Sequence, residues 1–249
     1  IRLSLVGSEM CIRDRFMQGE LMISGRVNFH KVYDLRERVL PAGLDTTTPS
    51  SEEYARFLIC RYLQANGVGQ AAEISYLLKN IKPLITTTLG AMVADGELQE
   101  IDVAGIQYYV LASSLDLLSK PLARNKLAIL SPFDNLLIQR KRMQALFNFD
   151  YLIECYVPEE KRQYGYFSLP ILWDGKLVAR MDCKADRRES HLHIHHLALE
   201  STLNNIDDFS QALSKTLPTF MQFNNCTQLT LHKTTPKKFP PLPPSLYRL

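Results

Sequence analysis

The chain has 249 residues, and none of its apolar runs approaches the about eighteen residues a membrane span needs, so no transmembrane helix is expected. It has little net charge, +3 in all, and that small surplus sits at the ends. Residues 1–15 carry a net +1 and residues 233–249 a net +4, which leaves the body from 16 to 232 at −2. Overall basicity therefore gives nucleic acid no footing, and only local clusters of cations can do so. The five cysteines, Cys11, Cys60, Cys155, Cys183 and Cys226, are far apart and form no C-x-x-C pair. For the four that lie outside residues 1–15, buried, reduced thiols are the expectation, and with them a cytoplasmic location. Walker loops, dinucleotide glycine fingerprints, H-E-x-x-H and G-x-S-x-G are all missing, so none of the corresponding chemistries has its motif.

What is present reads as globular, with 46% hydrophobic and 22% charged residues, enough for one large domain or two ordinary ones. The expected class is α+β. Residues 49–114 carry the pattern of three helices and a hairpin. Ser50-Ser51-Glu52-Glu53 has the spacing of a capping box, and the helix after it places Tyr54, Phe57, Leu58 and Tyr62 on one face, ending near Asn66-Gly67. A short helix is expected over Gln70–Leu78, with Ala71, Ile74 and Leu78 inward, and a third over Ile81–Asp95. Strands follow at Leu98–Val103 and Gln107–Leu111, joined through Ala104-Gly105. Three helices and a β-wing make a winged helix, a DNA-binding arrangement.

Part of this pattern occurs twice. Gly19-Glu20-Leu21 aligns with Gly96-Glu97-Leu98, and Phe29 with Ile106, giving a second wing with its turn at Gly25. A lone hairpin buries too little to stand by itself, so the helices belonging to this wing are expected upstream of Phe16. Residues 1–15 resemble a translated sequencing-adapter read and are set aside from the fold; a secretory signal is disfavoured because Glu9 and Asp14 interrupt its apolar run. Residues 16–48 then read as a wing and a linker, in a chain expected to be part of a longer protein. Residues 120–235 turn to strands, at Tyr151–Val157, Tyr166–Trp173, Lys176–Cys183, His191–Leu199 and Thr227–His232, with Asp174-Gly175 as a tight turn. A helix near Ile206–Leu217 is expected to stop at Pro218. The basic, proline-rich tail 236–249 is expected to be extended, packed or frayed rather than a ligand for a proline-reading domain.

Two polar loops stand between the strands. The first, Phe133-Asp134-Asn135, runs into Arg140-Lys141-Arg142, and the second holds Lys161-Arg162-Gln163-Tyr164-Gly165-Tyr166. Guanidinium and ammonium groups neutralise phosphates, and aromatic rings support an unstacked base. Asp134 and Asn135 can equally be turn formers that satisfy their own backbone. Lys82, Thr86, Thr87 and Gly90 lie on the outer face of the third helix, where they can reach phosphates or base edges, or simply pack between domains. The expected DNA-binding set is therefore Lys82, Thr86, Thr87, Asp134, Asn135, Arg140, Arg142, Lys161, Arg162, Tyr164 and Tyr166. His191, His193 and His195 alternate along one strand and share a face; an exposed face is favoured over a metal row, and no metal or cofactor is expected.

Residue order and strand–loop rhythm from Leu130 to Cys183, including Ser131-Pro132-Phe133-Asp134-Asn135 and Leu172-Trp173-Asp174-Gly175, resemble the C-terminal domain of the bacterial crosslink-repair DNA glycosylases, the YcaQ-like winged-helix family. The likeness extends more thinly from Phe16 to about Leu231. It implies tandem winged helices, a monomer acting on alkylated or crosslinked double-stranded DNA, and hydrolysis of the N-glycosidic bond to the damaged purine. It also implies a catalytic glutamine-aliphatic-aspartate (or glutamine) triplet. No such triplet occurs here, since Gln18-Gly19-Glu20 has glycine at its centre and Gln222-Phe223-Asn224 ends wrongly. The expectation is a DNA-engaging portion without its catalytic residues. A winged-helix transcription regulator with a β-rich effector domain is the alternative, and a metal-responsive binding protein a third.

Overall fold

A computed structural model of the chain describes residues 3–121 and 124–246. Residues 1–2 of the stretch set aside and 247–249 of the tail, with Arg248, lie outside the described residues. The chain divides into two compact units, residues 1–50 and 51–249.

The first unit begins with α1 (Leu3–Met17), continues through a hairpin of β1 (Leu21–Val27) and β2 (His30–Leu35), and ends with α2 (Arg36–Val39) inside the expected linker. α1 runs through most of the stretch set aside at 1–15. None of the unit's described side chains is buried, and Phe29 at the hairpin tip is 95% exposed. Phe16 makes an edge-on contact with Tyr33, with ring centroids 5.3 Å apart.

The second unit opens with α3 (Ser51–Asn66), β3 (Val68–Gly69), α4 (Ala71–Ile74), α5 (Lys82–Ala94), β4 (Leu98–Val103) and β5 (Ile106–Leu111). The three strands pair in the order β3-β5-β4. The buried stripe of α3 is Ala55, Ile59 and Leu63, a four-residue spacing that keeps one face inward. Leu58 and Tyr62 flank it, whereas Tyr54 and Phe57, expected inside, are exposed. α4 is a single turn, because the chain leaves the helix before Leu77, which takes a positive φ of 62°, and Leu78 stays outside. Ile85, Leu89 and Met92 of α5 close the core, as their spacing requires.

The repeat seen in the sequence is also a repeat of hydrogen bonds. At the end of α1, Gln18, Gly19 and Glu20 donate to the carbonyls of Asp14, Phe16 and Arg15; at the end of α5, Asp95, Gly96 and Glu97 donate to those of Ala91, Val93 and Met92. Gly19 and Gly96 both take φ +78°, the left-handed residue that ends a helix in this way. Each hairpin is then closed by the same bond, Arg36 N–H to the Glu20 carbonyl and Ala112 N–H to the Glu97 carbonyl, both at 3.1 Å. The first hairpin turns at Asn28-Phe29, not at Gly25. Gly25 sits in β1 beside a register shift that absorbs one residue, so His30 rather than Phe29 corresponds to Ile106.

The rest of the second unit is a twisted sheet under one long helix. β6 (Ala128–Ile129) precedes α6 (Asn135–Ile138) and α7 (Arg140–Phe147), and then come β7 (Ser168–Trp173), β8 (Lys176–Asp186), β9 (His191–Leu199), α8 (Ile206–Phe223), β10 (Gln228–Leu231) and β11 (Thr234–Thr235). The order is β10-β9-β8-β7-β6, with β11 beside β9; β10 and β11 run parallel to β9 and the other pairs are antiparallel. Phe209, Leu213, Leu217 and Met221 repeat every four residues along α8 and meet Met181, Ile194 and Leu197 of the sheet. That stripe explains why α8 passes through Pro218 instead of stopping there. Continued burial of Leu217 and Met221 offsets the hydrogen bond that proline cannot donate. Residues 154–156 form a 3-10 turn where a strand was expected at Tyr151–Val157, because Glu154 turns inward for the loop described below. Up to Pro243 the tail carries no helix, with Leu242 in the core, and Pro244–Leu246 close into a 3-10 turn instead of continuing extended. Among the described residues, no helix is long and apolar enough to cross a membrane.

Candidate nucleic-acid interface

Four charged residues in or behind the core hold the loops that carry the candidate site. Arg180 and Asp182 are the two charged residues in the buried middle of β8, between the exposed or half-buried Lys176, Lys184 and Asp186. The Arg180 guanidinium lies between two rings, 4.3 Å from the centroid of Phe149 and 4.1 Å from that of Tyr164, and its Nε donates to Glu200 Oε1 at 2.6 Å. Asp182 accepts the Phe167 N–H at 2.9 Å. Glu154 accepts three successive backbone N–H groups, from Gln163 at 3.0 Å, Tyr164 at 2.7 Å and Gly165 at 3.0 Å. Burial pushes the Glu154 carboxyl up, but the three amides together with Arg180 outweigh it and hold the group below its ordinary range. Gly165 takes φ +130°, and a Cβ there would collide with the Asp182 carboxylate. On the far side His196 donates from Nδ1 to the Tyr164 carbonyl at 3.2 Å, which leaves Nε2 to accept from the Thr235 hydroxyl at 2.9 Å. Loop 158–167 is thus clamped from beneath at four consecutive or near-consecutive residues.

The groups this loop turns outward are those expected from sequence. Lys161 and Tyr166 are exposed, and Arg162 lies over the Tyr166 ring at 5.0 Å while its Nε donates to the Val157 carbonyl. Tyr164 is drawn partly inward by Arg180, so it is a support for the loop rather than an outer contact.

The first loop divides differently. Asp134 caps α6, accepting the Leu136 N–H at 2.9 Å, which is the turn-forming role open to it in the sequence. Asn135 and Arg140 are exposed. Arg142 is not. It is 4% exposed, with Nη1 on Glu73 Oε2 at 2.8 Å and Nη2 on the Asn66 carbonyl at 2.9 Å. Gln139 adds a bond from its side-chain amide to the Glu73 carbonyl at 3.0 Å. The expected DNA contact at Arg142 is therefore corrected: its guanidinium turns back onto α3 and α4 and anchors α7 there. On α5, Lys82, Thr86 and Thr87 are exposed as expected. The two hydroxyls donate to the Lys82 and Pro83 carbonyls of their own helix, so only their acceptor lone pairs face outward. The face of α5 and loop 158–167 share no hydrogen bond, ion pair or ring contact among the described residues.

His191, His193 and His195 do share a face of β9 and stack at 4.1 and 6.1 Å, with His232 joining at 5.4 Å from His193. Burial and then the neighbouring imidazoles push His193 below its ordinary value. Among the described residues, no group of three or more His, Cys, Asp or Glu is arranged to hold a metal ion. All five cysteines are free, and burial followed by the Asp182 charge pushes the Cys183 thiol up to about 12. Glu73, Glu154, Arg180 and Asp182 were missed as positioning residues. For Arg180 and Asp182 the sequence signal was a pair of opposite charges flanked by Leu177-Val178-Ala179 and Met181 inside a strand; Glu73 and Glu154 carried none.

A family profile described as DNA glycosylase AlkZ-like matches residues 4–223. The chain belongs to the AlkZ-like DNA glycosylase family. Its structure is also similar to that of the Streptomyces sahachiroi DNA glycosylase AlkZ, with a TM-score of 0.58 at 18% identity, over 86% of this chain and 54% of that one. At that identity the likeness is one of fold. The chain spans about half the length of that solved glycosylase.

Proposed function

We propose that this chain is the DNA-engaging body of a glycosylase that releases alkylated or interstrand-crosslinked purines from double-stranded DNA by hydrolysing the N-glycosidic bond. The family match over residues 4–223 carries the reading. It is supported by the clamped loop, which holds Lys161, Arg162 and Tyr166 outward on a fixed backbone, and by Arg140 at the start of α7. Fixed cations and aromatics suit a polyanion with accessible base faces, because little ordering remains to be done on binding. In this reading α3 to β5 is a winged helix, residues 16–48 are the wing and linker of a second one, and 120–235 form a β-rich domain closed by the tail. The protein acts as a monomer in the cytoplasm and needs no metal.

Alkylation places positive charge on the purine ring, so the base leaves readily once a water is positioned and the cationic sugar is stabilised. The glutamine-aliphatic-aspartate triplet is not among these residues. Gln18-Gly19-Glu20 is consumed by the helix end after α1, and Gln222-Phe223-Asn224 by the end of α8. The purified 249-residue chain is accordingly expected to bind duplex DNA in a salt-sensitive manner and to release no base from an N7-alkylated duplex. Base release above the protein-free control would refute the triplet argument. Dimeric, palindrome-specific binding would instead favour a winged-helix regulator.

A further inference from the structure

A cavity of about 610 Å³ opens between α4, β5 and the start of α7. Its volume lies within the range of pockets that take small organic ligands. Its lining includes three consecutive cations, Arg140, Lys141 and Arg142, together with the apolar and aromatic Tyr76, Ile106 and Tyr108. Arg140 and Lys141 are exposed and have no ion pair among the described residues. Arg142 has its two terminal nitrogens engaged but leaves Nε buried without a partner. The amides of the first turn of α7 also lack a side-chain cap. Glu73 is the one acidic residue lining the cavity, and its carboxylate is neutralised by Arg142 at 2.8 Å. Two free cations thus share the cavity with aromatic and apolar side chains, in a chain whose body is otherwise net acidic.

We propose that this cavity is a nucleotide subsite. It takes a nucleoside 5′-phosphate, with the phosphate against Arg140, Lys141 and the start of α7 and the base against Tyr76 and Ile106. Phosphate is the anion that helix starts and guanidinium groups recognise together, and a base face stacks on tyrosine without regard to sequence. With Glu73 locked onto Arg142, the cavity holds a nucleotide and does not react with it. The assignment rests on the DNA-engaging reading above, in which the nucleotide is one residue of a strand displaced from its stack.

The test is calorimetric titration of the full chain with 2′-deoxyadenosine 5′-monophosphate, inorganic phosphate and 2′-deoxyadenosine, for wild type, Lys141→Glu and Tyr76→Ala. Both side chains are exposed, and an acid in the first turn of a helix favours folding, so either variant should remain native, which circular dichroism checks. The monophosphate is expected to bind about ten-fold more tightly than either half alone, since its two contacts share one cost of association. Lys141→Glu should weaken monophosphate and phosphate by about five-fold or more, and Tyr76→Ala should weaken monophosphate and nucleoside but not phosphate. Equal affinities for the three ligands, or variants that change nothing, would overturn the subsite; phosphate binding that ignores Tyr76 alongside no gain for the monophosphate would reduce it to an anion site and also overturn it. Parallel duplex titrations separate the two claims. A chain that binds the monophosphate as expected but no duplex refutes the DNA reading alone, whereas undiminished duplex binding in both variants with no monophosphate binding refutes the subsite alone.

Discussion

Replacing Glu154 with glutamine should loosen loop 158–167 without emptying the space beneath it. The carboxylate receives the Tyr164 and Gly165 amides on one oxygen and the Gln163 amide on the other. A glutamine can present its carbonyl to the first pair only by turning its NH2 toward the Gln163 N–H, where two donors meet. One charge-assisted bond is lost and two become neutral, a combined cost of about 2–3 kcal/mol once relief of carboxylate burial is deducted. For a unit of this size that is a fall of about 4–12 °C in melting temperature. Lys161 and Arg162 would then have to be ordered during binding, costing about 1–2 kcal/mol, so duplex affinity should fall at least about five-fold. The pH dependence has a fixed sign. Because the folded value of Glu154 lies below its ordinary 4.5, its contribution is complete above that value and is lost as pH falls through the folded one. Urea unfolding of both proteins between pH 3 and 8, with hydrogen exchange at Gln163, Tyr164 and Gly165, measures all of this. Equal urea midpoints at neutral pH, or three amides that exchange as fast in wild type as in the variant, would refute the clamp.

Arg142→Ala should cost about 3–5 kcal/mol because it strands the Glu73 carboxylate, while an Arg142→Met, Glu73→Gln double variant should recover most of that loss in urea melts. His196 should give stability a second acid-sensitive stage. Burial and then Lys233 push its folded value below the ordinary 6.5, so the unfolded chain takes up the proton first and stability falls as pH drops through 6.5 toward the folded value. His193 titrates in the same sense, so His196→Asn should shrink this stage rather than abolish it. Protein titrated by urea melts at close pH intervals would show the two stages apart.

Regular periodicity made much of the fold legible, and polar burial hid the rest. Leu98–Val103 and the turns at Ala104-Gly105 and Asp174-Gly175 could be read directly, since two-residue turns with positive φ at both positions leave glycine in the second. The Gly19 and Gly96 repeat was visible because only a helix end of this type sets Gly-Glu-Leu before a strand in both places. Local signals misled where a long-range contact decided the outcome. Pro218 reads as a stop until the apolar stripe beyond it is matched to the sheet, and Tyr151–Val157 reads as a strand until Glu154 is seen to turn in under the loop. The outward residues Lys161, Arg162 and Tyr166 could be chosen by type and spacing. Arg142 could not be told from Arg140, because its partner Glu73 lies 69 positions away.

The central claim, that fixed cations on loop 158–167 and at the start of α7 meet the phosphates of DNA, is tested most directly by the salt dependence of duplex binding. Fluorescence anisotropy of a labelled duplex would be followed from low to moderate salt for wild type, Lys161→Glu and Arg140→Glu. Each lost phosphate contact should lower the slope of log affinity against log salt by about 0.9, and each variant should bind all duplex sequences more weakly to the same extent. Variants that keep the wild-type slope and affinity, or a wild-type chain that binds no duplex even at low salt, would contradict the account.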